Sequence, residues 1–365
     1  MSDLRSIGFR TVDEFTLGDL DTLWNILRGD SAIDWRRLHL GDRYDAEEFL
    51  RVQEFHPEDA QDAARLDAIK REAIDYLRRN YEYPVPGPIE TASVESLLSI
   101  ASGRGHRQVC ACVILKVMHI IHHLQGRELL FSLPLSDAQV FQLVEAKIFR
   151  VMGEMLSSGL PIVQFKGGRK TRDSLYTKLL SKSDTIAAQI YDKLRFRIVT
   201  RSPDDVLPVL NYLSRRLFPF NYIIPNESKN TLVNPRDLVE RHPHLGALFD
   251  NPDSHIRRDA VAQLVDNRFS APSYRVIHFV VDLPVRLPRE VLEKAPKNVR
   301  SLGPVVFVLT EFQLVDQLTD SQNDTGAASH VEYKERQREA VRARLRLAGH
   351  RGSHFTQPPP PLPRR

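Results

Sequence analysis

The chain has 365 residues, 42% hydrophobic and 27% charged, which is globular composition and excludes an intrinsically disordered polypeptide. Its net charge of +4 is unevenly placed: nine Lys/Arg against two Glu from Tyr333 onward give +7, leaving 4 − 7 = −3 for the rest. The basic balance therefore belongs to the C-terminal segment and does not mark the folded body as a nucleic-acid binder.

Two cysteines occur, Cys110 and Cys112, in the run VCACVILKV. Two apart on a helix they point to different faces, which argues against a disulfide between them and for a reducing compartment. No stretch approaches the roughly 20 apolar residues of a membrane span. The N-terminus MSDLRSIGFRTVDEF lacks the basic-then-apolar pattern of a secretory signal. A cytoplasmic protein without membrane contact is expected.

Residues 14 to 160 read as helical. LGDLDTLWNILRG, DAARLDAIKREAIDYLRRN, SVESLLSIAS, RQVCACVILKVMHIIHHLQ and DAQVFQLVEAKIFRVMGEML carry apolar residues at three-to-four spacing. The prolines of EYPVPGPIE, at 82 to 90, divide them into two groups. These helices, residues 1–160, form a first region of unassigned role that offers a surface for oligomerisation. His119, His122 and His123 share a helix face there, but with no carboxylate nearby in sequence they read as packing or partner contacts rather than metal ligands.

From residue 161 the texture changes. PIVQFKGG is a short strand or a lead-in loop, and DSLYTKLLSKS a capped helix. In YDKLRFRIVT, Leu194, Phe196 and Ile198 alternate with Arg195, Arg197 and Val199, the period of a strand. SPDDVLPVLNYLSRRLF reads as a helix, and residues 273–285 and 304–318 as strands. YKERQREAVRARLRLAG is a basic helix ending at Gly349, and TQPPPPLPRR a disordered proline-rich tail, 349–365. The fold class expected is α+β: a helical N-terminal region, then a core at 161–348 with a mixed sheet flanked by helices and an insertion at about 226–270.

The stretch GGRKTRDSLYTKLLSK holds five Lys or Arg around Ser174. A run of this kind is commonly a solvated face; a polyphosphate is the alternative. Asp192 opens a strand five residues before Arg197. Tyr274 and His278 lie four apart on a strand, hence on one face, and so do Glu311 and Gln313. GAASHVEYK supplies His330, Tyr333 and Lys334 where the last helix begins.

In order and spacing this series resembles the synthetase domain of the RelA/SpoT family, the (p)ppGpp pyrophosphokinases. That family's pattern runs Arg-x-Lys, Ser-Ile-Tyr-x-Lys, Tyr-Asp-x-x-x-x-Arg, Gly-Tyr-x-x-x-His, Glu-x-Gln-x-Arg and Ala-x-His-x-x-Tyr-Lys. The resemblance spans about 161–340 and implies a nucleotidyltransferase-like core with ATP as donor and Mg²⁺ as cofactor. It implies Asp192 and Glu311 as metal ligands and catalytic carboxylates, Glu311 also as acceptor of the hydroxyl proton. Lys170, Ser174, Lys178 and Arg197, with Arg169 and Arg172 nearby, would contact the donor. Tyr274 would stack on the acceptor guanine, beside His278, Gln313, His330 and Lys334.

The chain departs from the pattern at three places. Gly168 stands where the first Arg is expected, Val315 stands at the Arg after Glu-x-Gln, and the acceptor loop before Tyr274 is missing. RNA is therefore a second acceptor class. A catalytically weakened nucleotide- or RNA-binding regulator, or a toxin-like enzyme acting on RNA, are the alternative functions. No His-Asp dipeptide occurs, so a resident HD hydrolase is not expected.

Overall fold

The computed structural model describes residues 8–41, 43–181, 193–251, 273–325 and 330–346, with the side chains of 330 and 331 left aside. Asp192, the residues 252–272 of the insertion, and the proline-rich tail lie outside the described residues.

Seven helices come first: α1 (Leu17–Arg28), α2 (Arg43–Val52), α3 (Ala60–Tyr81), α4 (Gly87–Glu90), α5 (Val94–Ala101), α6 (His106–Ser132) and α7 (Asp137–Ser157). Local chemistry sets their ends. The Thr16 hydroxyl accepts from the Asp19 N–H while Asp19 reaches back to Thr16, and Ser136 with Gln139 repeats this box at α7. Gly29 closes α1 in the left-handed region, φ 64°. The proline-rich break follows α3, where Glu82 turns the chain at φ 50°.

The core then alternates strands and helices: β1 (Ile162–Arg169), α8 (Arg172–Ser181), β2 (Leu194–Thr200), α9 (Val206–Arg216), β3 (Lys229–Asn230), α10 (Pro235–Arg241) and α11 (Pro243–Phe249). After the insertion come β4 (Ile277–Arg286), α12 (Arg289–Leu292), α13 (Lys297–Arg300), β5 (Val305–Asp316), α14 (Gln317–Asn323) and α15 (His330–Arg344). PIVQFKGG is thus a strand, and the described part of the insertion is helical after β3.

The five strands form one mixed sheet in the order β1-β2-β5-β4-β3, with β2 and β5 parallel and the other neighbours antiparallel. The protein is therefore α+β with a mixed sheet. One sheet face is apolar. Phe196, Phe312 and Phe279 stand in register on β2, β5 and β4, and their rings stack at 5.8 and 5.6 Å. On β1 the same row ends at Gly167, where an added Cβ would meet the Phe196 ring at 2.7 Å. Glycine is required there because the ring occupies the side-chain space.

Two apolar clusters divide the molecule, and they do not follow chain order. Residues of α1 and α7 join the sheet in one cluster, while α2 to α6 supply most of the other. Polar ties cross between them. Arg286 at the end of β4 pairs with Asp62 of α3 at 2.7 Å, and buried Lys147 of α7 holds Glu54 at 2.6 Å and the Pro284 carbonyl.

By length and composition alone, helix α6 is long and apolar enough to cross a bilayer, a test that the core helix of a soluble protein also passes. Here it packs on α3, α5 and β5. Cys110 and Cys112 are both buried and free.

Candidate functional site

The other sheet face carries a polar row across all five strands. Lys166, Arg197, Gln313, His278 and Lys229 stand in register on β1, β2, β5, β4 and β3. The next row holds Gly168, Arg195, Glu311 and Val280. Strand alternation produces both rows: each polar residue sits two positions from another, with an apolar residue between them turned to the core.

Glu311 is the centre of this face. Its side chain is 5% exposed, with Oε1 3.3 Å from His278 Nε2 and accepting from Gln313 Nε2 at 2.8 Å. Burial alone raises a carboxyl's pKa. Here the charge and hydrogen bond of His278, with the charges of Lys170 and Arg195, overcome burial and hold it at about 2. The carboxylate is ionised and set among cations.

Arg197 gathers the second group. Its Nη1 donates to the Tyr274 hydroxyl and to Gln313 Oε1, both at 3.1 Å, and its Nε donates to Asp320 of α14 at 2.8 Å. Tyr274 lies three residues before β4 begins rather than on it, so its link to this face is the Arg197 contact and not strand periodicity. Val315, where the resemblance calls for Arg, is fully buried.

The basic stretch splits. Lys170 follows β1, tied by its N–H to the Lys193 carbonyl at 3.0 Å, and its charge reaches Glu311. Ser174, whose hydroxyl accepts from Thr171 at 3.0 Å, and Lys178 follow at four-residue steps, on one face of α8. Arg172 is exposed at the first turn. Arg169 alternates onto the other sheet face, where its guanidinium forks onto Glu145 of α7 at 2.8 and 2.7 Å and lies over the Phe141 ring. Beside Gly168 a Cβ would meet nothing within 4 Å, so the position that would face Arg195's neighbourhood is open.

His330 opens α15, and Lys334 one turn later is exposed. α15 packs along α8, its Arg344 donating to the carbonyls of Leu179 and Leu180.

Sequence reading placed Arg195 in the alternation of β2 without giving it a role, and passed over Lys166, Lys229 and Asp320; Asp320 and Lys229 carry no local signal. It also placed no carboxylate near the three histidines. The structure supplies Asp282 of β4, whose Oδ2 is 2.7 Å from His123 Nε2. Burial pushes His119 and His122 down to about 3, leaving them neutral. Among the described residues no group of three or more His, Cys, Asp or Glu is placed to hold a metal ion.

No family model matches the chain, and no curated protein matches it in sequence. Solved structures are similar to part of it. Small alarmone synthetase 1 from Bacillus subtilis is 18% identical over 56% of this chain and 86% of that one, with a TM-score of 0.30. Small alarmone synthetase 2 from the same organism is 17% identical over 58% and 95%, TM-score 0.31. A GTP pyrophosphokinase family protein from Streptococcus pneumoniae is 18% identical over 57% and 84%, TM-score 0.27. At such superposition the likeness carries no weight of its own; the site is read from its side chains.

Proposed function

We propose that the polar sheet face transfers pyrophosphate from ATP to a ribose hydroxyl of a guanine nucleotide. One observation carries this reading: a buried, ionised Glu311 beside Arg195 and next to the row Lys166, Arg197, Gln313, His278 and Lys229 that crosses the five strands. A carboxylate in such surroundings suits a cation-bridged polyphosphate, because the basic groups neutralise phosphate oxygens while the carboxylate takes the cation.

The donor set fits Mg²⁺, which takes one or two carboxylates and completes its shell with phosphate oxygens and water. Glu311 would hold the ion, with Asp192 as the second carboxylate implied by the motif. Bound there, Mg²⁺ would supply charge neutralisation at the phosphates. Lys170, Ser174 and Lys178 would bind the triphosphate, as point charges and a directional donor. Arg197, fixed by Asp320, would hold Tyr274 and Gln313 in place for the acceptor.

One observation favours a second reading. With Gly168 lacking a side chain and Arg169 engaged by Glu145 on the far face, the first arginine of the Arg-x-Lys pattern, which the resemblance would set against the donor base, has no counterpart on this face of β1. A protein that binds nucleotide but transfers slowly, regulating a partner, would show this.

The test is an acceptor screen with labelled ATP and Mg²⁺ over GDP, GTP, GMP, adenine nucleotides and bulk tRNA. Transfer to a guanine nucleotide, lost in Glu311→Gln and Asp192→Asn, supports the proposal. Mg²⁺-dependent ATP binding without transfer supports the second reading, and transfer only to tRNA moves the acceptor to RNA.

A further inference from the structure

A cavity of about 50 Å³ lies in the apolar cluster of α2 to α6, closed on one side by the turn Phe220–Tyr222 that follows α9. Leu50, Leu66, Ile69, Leu98 and Met118 line it and are all buried. Trp35, Phe49, Leu115 and Phe220 line it from partly exposed positions and form an apolar rim. None of its lining residues belongs to the polar row or touches Glu311, so this is a second site.

Three further lining residues carry polar atoms that nothing satisfies. Both ring nitrogens of His122, Asn221 Oδ1 and the Tyr222 hydroxyl are buried with no hydrogen-bond partner among the described residues, in side chains belonging to residues 6%, 6% and 2% exposed. The other end of the Asn221 amide is committed, its Nδ2 donating to Gln53 Oε1 at 3.3 Å and standing 3.1 Å from His119 Nδ1. A neutral imidazole offers one donor and one acceptor, the amide oxygen an acceptor, and the phenol a hydroxyl. No Asp, Glu, Lys or Arg lines the cavity. Burial, with the charge of Arg65 at His122, pushes His119 and His122 down to about 3, and burial raises Tyr222, so the lining is neutral at pH 7. Water does not suit the whole space. The volume would hold roughly three or four waters, each needing two to four polar partners, and four unpaired atoms among apolar side chains do not supply them.

We propose that this cavity binds a small uncharged amphiphile, its hydrogen-bonding head against His122, Asn221 and Tyr222 and its apolar chain running past Leu98 and Met118 toward Trp35 and Phe49. The head completes the unpaired atoms, the chain covers apolar wall, and neutrality matches a lining without charge. The inference stands apart from the pyrophosphoryl-transfer reading. The N-terminal helices thereby acquire a binding role. The guest would touch the segment that borders the sheet, since the Tyr222 ring packs on Phe307 of β5 at 4.7 Å and Ile223 bridges to Val281 of β4.

The experiment is isothermal titration calorimetry of the full chain at neutral pH with 1-butanol, 1-hexanol and 1-octanol, and with hexanoate and hexylammonium as charged counterparts. The alcohols are expected to bind saturably at one site, the Kd falling about fourfold per added CH₂. Hexanoate and hexylammonium are expected to bind at least about tenfold more weakly than 1-hexanol, because no lining group offsets a charge. Leu98→Trp, which fills the space, abolishes 1-hexanol binding. Tyr222→Phe weakens it about threefold to tenfold by removing one hydroxyl. Should Leu98→Trp fail to fold, Tyr222→Phe decides, since it deletes a single oxygen. Heats that do not saturate for any of the alcohols overturn the proposal and leave the cavity to water. So does hexanoate binding as tightly as 1-hexanol. Binding of 1-hexanol that neither variant alters places it elsewhere on the protein and sinks the site.

Discussion

His278 and Glu311 are joined across β4 and β5 by a 3.3 Å contact from imidazole Nε2 to carboxylate Oε1. The pair fixes the charge state of the sheet's polar face, since His278 is the first of the groups that overcome burial at Glu311. Glu311→Gln is expected to keep the fold and to lower transfer at least about 100-fold, the loss typical of a group stabilising transition-state charge. Folded Glu311 holds its proton far more weakly than its usual 4.5, at about 2. Its contribution to stability is therefore complete above about pH 4.5 and is lost as pH falls toward 2. Melting curves from pH 7 to 3 should show unaltered protein losing Tm relative to Glu311→Gln only at the acid end.

Gly167 and Gly168 should respond oppositely to a side chain. Gly167→Ala drives a methyl into the Phe196 ring and is expected to cost about 1–3 kcal/mol, read by denaturant unfolding. Gly168→Arg enters open space on the face that holds Arg195 and Glu311. It should leave Tm nearly unchanged and lower the KM for ATP about fivefold, equivalent to about 1 kcal/mol. An unchanged KM would remove the donor base from this end of β1.

Tyr274 separates two roles that one residue can hold. Its hydroxyl accepts from Arg197, whereas stacking on a base would use its ring. Tyr274→Phe is expected to keep the acceptor KM within twofold, and Tyr274→Ala to raise it about tenfold, as loss of an aromatic platform does. Equal damage from both variants would assign the function to the hydroxyl.

His122 is buried with both ring nitrogens unpartnered, between Phe55 at 4.6 Å and Phe307 at 5.2 Å. Its folded pKa of about 3 lies below the ordinary 6.5, so the stability tied to its neutral form is present above pH 6.5 and lost as pH falls toward 3. His122→Leu removes both the unpartnered nitrogens and this titration. It is expected to raise Tm at pH 5 by more than at pH 8; an equal change at both would sink the assignment.

Much of the site was legible because strands have a period of two. Leu194-Arg195-Phe196-Arg197-Ile198 announces one core face and one polar face, and TEFQ does the same for Glu311 and Gln313. What stayed hidden depends on partners far away in sequence. His123 and Asp282 are 159 positions apart, and nothing local on α6 announces a carboxylate. Arg169 looked like a neighbour of Lys170 in function, but one residue along a strand reverses the face, and Glu145 then captures it. The division of the first 160 residues between two cores was equally unreadable, since helical periodicity shows that a face is buried and not what buries it.

The last strand to be synthesised, β5, lies in the middle of the sheet, between β2 and β4. Until residue 316 leaves the ribosome, β2 and β4 have no central partner, and the Phe196 and Phe279 rings lack the Phe312 ring that joins them. The sheet therefore closes late and over long sequence separations, which slows folding and leaves apolar strand edges uncovered on the nascent chain. A chain cut short before β5 would present those edges permanently.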